Sequence, residues 1–97
     1  MSETYQSFYQ NEKRALQITI NDQDGAQFQS EAASASVVDI NGTTVVDWQA
    51  ASVVSNTVNT IIGPAVTRNT GSYKVYWRLT KDGYVYYHVT ELEVMEL

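Results

Sequence analysis

Asn69-Thr70-Gly71-Ser72-Tyr73-Lys74-Val75 is the stretch whose reading decides the fold, and it runs unbroken into Tyr76-Trp77-Arg78-Leu79-Thr80. From Tyr73 onward Tyr73, Val75, Trp77 and Leu79 alternate with Lys74, Tyr76, Arg78 and Thr80, the period-two pattern of a strand with one face in a core. Gly71 allows a bend just ahead of that strand. Tyr73, at its start, can turn its hydroxyl back onto upstream backbone and lock the bend.

That arrangement has the form of a tyrosine corner, which in immunoglobulin-like sandwiches fixes the crossover leading into the penultimate strand. Val75 stands where antibody domains keep their second cysteine. Downstream, Lys81-Asp82-Gly83 is a turn and Tyr84–Val94 the second arm of a hairpin. In that arm Val85, Tyr87 and Val89 share one phase, while Leu92 and Val94 share the other. The change of phase predicts a β-bulge near Thr90-Glu91.

Upstream, Leu16, Ile18 and Ile20 alternate with Gln17 and Thr19 and predict a strand over Ala15–Ile20, closed by a turn at Asn21–Gly25. Ala26–Ser30 adds a short extension with Phe28 inward. A second strand is expected at Ala35–Ile40, joined through Asn41-Gly42 to Thr43–Trp48 in a hairpin whose two central residues both take positive φ. Gln49–Ser52 reads as a loop. Val53–Ile62 holds one or two strands with Val58, Thr60 and Ile62 on a common face, stopped by Gly63-Pro64. About seven short strands with Gly, Asn and Asp turns predict an all-β chain, an immunoglobulin-like antiparallel β-sandwich over residues 15–97.

Residues 1–14 precede it as an N-terminal arm. Tyr5, Phe8 and Tyr9 are spaced i, i+3, i+4 and would share one face of a short helix. Two readings stand for the segment: a frayed terminus, or an arm whose aromatics dock on a neighbouring subunit.

With 97 residues the chain has room for one domain. It has no cysteine, which removes disulfides and thiolate metal sites and suits a reducing compartment. Eleven acidic against six basic residues give a net charge of −5, which repels phosphate backbones and argues against nucleic acid as a partner. The N-terminal residues lack the basic start and apolar run of a signal peptide, and no run of eighteen apolar residues occurs, so no membrane span is expected.

Little in the chain points to catalysis. His88 is the single histidine, and the alternation sets it on an outer face with Tyr84 and Tyr86. Asn21, Asp22, Asp24 and Gly25 begin like a calcium loop, but the twelfth position from Asp22 is Ala33 where a bidentate Glu is needed. These residues read as a capped turn, and Asp39, Asp47 and Asp82 take similar turn positions. The glycines at 25, 42, 63, 71 and 83 stand singly at strand ends, without phosphate-cradling spacing. Glu91, Glu93 and Glu96 make an acidic edge that discourages strand-to-strand aggregation. No catalytic residue, metal site or cofactor is expected.

The outward phase of the last hairpin is expected to gather Tyr76 and Arg78 with Tyr84, Tyr86 and His88 into an aromatic patch carrying a cation. Such a patch suits a protein interface, in which Tyr and Arg are enriched. Its flat rings could also stack on sugars, and ordinary cross-strand pairing accounts for it without any ligand.

Taken together, Glu12–Ile20, Asp22–Gly25, Ala35–Val46 and Thr70–Val94 resemble small immunoglobulin-like proteins of tailed bacteriophages. The shared frame is a Leu16–Ile20 strand, Asp-x-Asp-Gly at Asp22–Gly25, a hairpin with Asn-Gly at its tip, Gly71–Trp77, Asp82-Gly83 and a final Leu92-Glu93-Val94. It covers about residues 12–94 and leaves the arm aside. The resemblance implies a non-enzymatic virion component, assembled in the host cytoplasm: a capsid decoration, head-tail or tail accessory subunit. Its implied partners are capsid, neck or tail proteins, engaged in multiple copies, with neither nucleic acid nor membrane involved. The residues expected to bind them are Tyr5, Phe8, Tyr9, Tyr76, Arg78, Tyr84, Tyr86 and His88. A carbohydrate-binding or adhesion module using the same Tyr face, with a surface glycan as ligand, is the alternative.

Overall fold

The computed structural model describes residues 4–20 and 30–96. The strands are β1 (Thr4–Tyr9), β2 (Arg14–Thr19), β3 (Ala32–Asp39), β4 (Thr44–Val54), β5 (Thr57–Ile62), β6 (Gly71–Lys81) and β7 (Tyr84–Met95), with a one-turn helix, α1 (Pro64–Thr67), before β6. They form one mixed, curled sheet in the order β1-β7-β6-β3-β4-β5-β2. Neighbours are antiparallel except β1, which runs parallel to β7 from Thr4 opposite Thr90 to Tyr9 opposite Met95.

All-β is therefore the class, and the described strands join into one sheet because β4 does not stop. The loop expected at Gln49–Ser52 is strand: β4 pairs with β3 as far as Ala51 and with β5 from Ser52. Gln49-Ala50-Ala51-Ser52 contains no Gly, Pro, Asn or Asp to break the ladder. The sheet bends at a bulge instead, where the pairing shifts between Ala35/Gln49 and Val37/Val46 and sets Asp47 and Trp48 against Ser36. Ser36 secures it by donating its hydroxyl to the Val46 carbonyl at 3.0 Å.

Inside the curl lie Phe8, Leu16, Ile18, Ile20, Val37, Val58, Ile62, Val66, Val75, Trp77, Leu79, Leu92 and Val94, all buried. Trp77 is fully enclosed, and its indole N–H donates to Thr90 Oγ1 at 2.9 Å. The Tyr73 hydroxyl donates to the Asn69 carbonyl at 2.8 Å, the upstream bond expected of it, and Gly71 takes φ +139° in the bend between them. Burial raises the Tyr73 pKa, helped by the nearby Asp39 carboxylate, so the phenol stays protonated and remains a donor.

Two further expectations are corrected. No bulge interrupts β7: its register against β6 is continuous from Gly71/Val94 to Lys81/Tyr84, and His88, Thr90, Leu92 and Val94 share the buried phase. Two polar residues in core positions hid this, and one of them, Thr90, is there to accept from Trp77. At Asn41-Gly42 only Gly42 has positive φ, +82°. Asp39 reshapes that hairpin end by accepting from the N–H groups of Asn41 and Thr43, both at 2.9 Å, which widens the loop to three residues. The two-residue turn with paired positive φ is instead Asp82-Gly83, at +52° and +80°.

The N-terminal segment is neither helix nor frayed end from Thr4 to Tyr9, where it forms an edge strand of the chain's own sheet. Strand periodicity separates Phe8, completely buried, from Tyr9, which is exposed. Arg14 covers the Phe8 ring at 3.9 Å and donates to the Ser7 carbonyl. Asn11 N–H donates to the Thr67 carbonyl at 2.9 Å and Thr67 Oγ1 to the Glu12 carbonyl at 2.7 Å, which ties the β1–β2 turn to α1. The readings of Asn21–Gly25, and of Ala26–Gln29 with Phe28, fall outside the described residues.

Candidate functional site: the outer face of the sheet

The β4 bulge presents Trp48 on the convex face. There the Arg78 guanidinium stacks over the indole at 4.4 Å, and the Tyr87 ring stands 6.5 Å from it, tilted by 55°. Register explains the meeting. Arg78 lies opposite Ser34 on one side and Tyr87 on the other, and Tyr76 lies opposite Ser36 and Val89, so small β3 side chains leave room for the long ones. A guanidinium over an indole is held by the ring's negative face at about 0.5–1 kcal/mol when exposed. The contact therefore also favours this pose of Arg78, its charge still at the surface.

Of the expected patch, Tyr76 and Arg78 are on this face. Tyr84, Tyr86 and His88 are not: with β7 in unbroken register they belong to the opposite phase, facing the inner side of the curl. Tyr84 and Tyr86 are exposed there, whereas His88 is 7% exposed. Neither His88 ring nitrogen has a hydrogen-bond partner among the described residues, and burial lowers its pKa, which favours the neutral ring. Its expected place on the outer face is thus corrected, as is any docking role for Phe8, which is core. Tyr9 is 48% exposed, and Tyr5 holds the β1 position opposite Glu91.

Trp48 and Tyr87 were missed by the sequence reading. Carrying the Leu92/Val94 phase back without interruption turns Tyr87 outward, and that was the available signal. No pattern in the sequence brings Trp48 to Arg78, since the two meet only through the β3 strand between them.

Beside Tyr76 the same face opens into a groove of about 460 Å³ lined by Asp39, Ile40, Lys74, Glu91 and Glu93 among others. Lys74 faces Glu91 across the β6–β7 ladder. No group of three or more His, Cys, Asp or Glu suited to a metal occurs among the described residues, and none of their helices is long and apolar enough to cross a membrane. What the face offers is contact: aromatic surface, one oriented guanidinium, and a groove of mixed charge.

No protein-family model matches the chain, and no curated protein is significantly similar to it.

Proposed function

We propose that this chain is an immunoglobulin-like, non-enzymatic subunit of a tailed-phage particle that docks on partner virion proteins through the convex face carrying Trp48, Tyr76, Arg78 and Tyr87. The Trp48–Arg78–Tyr87 cluster carries the reading. Aromatic rings and a pre-positioned Arg are the side chains that dominate protein interfaces, because they give large contact area with little further loss of freedom. The immunoglobulin-like part is supported by the Tyr73–Asn69 bond ahead of the penultimate strand, and by β2 and β5 continuing past β4 so as to lie apart from β1, β7, β6 and β3. The net charge of −5 fits a protein partner better than a nucleic acid.

The gene is expected among capsid, portal or tail genes, and the purified chain is expected to co-sediment with the particles they encode, to a saturable copy number. Trp48→Ala with Arg78→Ala should cut that binding at least about tenfold, the effect of removing a modest hot spot. A gene with no such neighbours, or a chain that stays in the supernatant, overturns the proposal. Silence on a glycan array is the matching expectation. A sugar signal lost with Trp48→Ala would transfer the face to the adhesion reading, although Arg78 already covers one side of that ring.

A further inference from the structure

Of the six asparagines in the chain, Asn41 is the one followed by Gly, and both residues are exposed in the loop between β3 and β4. The Cγ of an Asn side chain can be attacked by the backbone nitrogen of the next residue, and a Cβ on that residue crowds the approach. Asn11-Glu12, Asn21-Asp22, Asn56-Thr57, Asn59-Thr60 and Asn69-Thr70 all carry that Cβ. Gly42 has none, and nothing lies within 4 Å of where one would stand, so that side of the loop is open. The Asn41 side-chain amide makes no hydrogen bond among the described residues. Asn59, by contrast, sits in β5 with Gln17 opposite on one side and Ser52 on the other.

The restraint on this reaction lies in the same loop. Three successive N–H groups end on Asp39: those of Asn41 and Thr43 donate to its Oδ1, both at 2.9 Å, and that of Gly42 donates to its backbone carbonyl at 3.0 Å. Gly42 N is the attacking atom, so the loop must release that last bond before the nitrogen can turn on Cγ. The two bonds to the carboxylate hold the loop in the conformation that makes it. Opening an exposed three-residue loop costs far less than unfolding the domain, so the step is slowed and not blocked.

We propose that Asn41 is a self-modifying site, converting to aspartate and isoaspartate with water as co-reactant, and that Asp39 sets its rate. The Gly42 nitrogen bonds to Asn41 Cγ as the Cγ–Nδ2 bond breaks. Nδ2 takes up the proton that the Gly42 nitrogen gives up and leaves as ammonia, which closes a cyclic imide. Water then opens the ring at either carbonyl. Addition at Cγ breaks the new bond to the Gly42 nitrogen and leaves an aspartate side chain on the original backbone. Addition at the Asn41 carbonyl carbon breaks the original peptide bond instead, so that the main chain runs through Cγ and is lengthened by a methylene. No oxidant or reductant enters. Either product sets a new carboxylate between Ile40 and Gly42, which with Asp39 line the groove beside Tyr76, and makes the chain one charge more negative than −5.

The full chain, kept folded at mildly alkaline pH and sampled over weeks, should gain a more acidic species on ion exchange, with circular dichroism confirming the fold at each sampling. Peptide mapping by mass spectrometry should place the change at Asn41, as a pair of products of equal mass that separate by chromatography, with Asn11, Asn56, Asn59 and Asn69 intact. Asp39→Ala removes the two carboxylate bonds and should speed the conversion at least about tenfold. Asp39→Asn keeps an Oδ1 acceptor in place and should return the rate close to that of the parent chain. Asn41→Gln, whose longer side chain must close a larger ring, should not convert. A folded chain in which Asn41 outlasts the sampling, or in which another Asn converts first, overturns the proposal, as does a rate that Asp39→Ala leaves unchanged. The outcome is independent of the virion reading, since neither Trp48 nor Arg78 takes part.

Discussion

The two ends of the β6–β7 hairpin share one register and one alternation yet differ in everything that burial controls. At the foot, Tyr73, Val75 and Trp77 of β6 and Thr90, Leu92 and Val94 of β7 are enclosed, and even the polar Thr90 has its hydroxyl committed to an indole N–H. At the tip, Tyr84, Val85, Tyr86 and Tyr87 are 68%, 52%, 37% and 58% exposed, so both faces of the strand meet solvent. Alternation states which side chains share a face. Whether that face is covered depends on what the rest of the sheet curls over.

The sharpest way to break this contrast is to truncate one large aromatic at each end. Trp77→Ala is expected to lower the unfolding free energy by about 3–5 kcal/mol in urea titration, since it opens a cavity and removes the indole N–H from which Thr90 accepts. Tyr84→Ala at the tip should stay within about 0.5 kcal/mol. Equal losses would mean that the tip is packed as the foot is.

A smaller effect probes the corner at the base of the hairpin. Tyr73→Phe keeps the ring and removes only the donor to the Asn69 carbonyl, for an expected loss of about 1–2 kcal/mol on thermal unfolding. No loss would show that the bend at Gly71 holds itself.

The smallest effect lies where foot passes into tip, at His88. Its buried ring has a pKa below the ordinary value near 6.5, so on acidification the unfolded chain takes up the proton first. Below the ordinary value the unfolded state binds more protons than the folded one, and stability falls as pH drops. Unfolding at about pH 7 and pH 5 should therefore show a loss that His88→Leu makes smaller, because the variant has no ring to protonate. An identical loss in both proteins would place His88 in water with the tip.

Much of the β6 half of the molecule was legible in advance. Tyr73, Val75, Trp77 and Leu79 could be set in the core because four apolar residues at period two leave one consistent face. In β7 the same reasoning failed: Thr90 and His88 occupy core positions as polar residues, while Val85, Tyr87 and Val89 supply an equally good apolar row on the outside. Two rows of similar hydrophobicity cannot be ranked without the partner strand. The Asn41-Gly42 turn was found but misjudged in shape, because the capping carboxylate of Asp39 outweighed the preference of the dipeptide. Of the candidate site, Tyr76 and Arg78 were placed on the correct face. Trp48 lies two strands from Arg78, and contact across an intervening strand leaves no trace in local pattern.

The sequence by itself determined an all-β chain, its strand positions within a few residues at most ends, and the upstream bond of Tyr73, because side-chain periodicity and turn chemistry act over a few residues. Only the tertiary structure decided that β4 runs on through Gln49–Ser52 and carries the described strands in one curled sheet, that residues 4–9 join it beside β7, and that Trp48 and Tyr87 flank Arg78. Those outcomes depend on which strands become neighbours. That choice is made by the burial of whole faces against one another, to which any single residue contributes too little to be read alone.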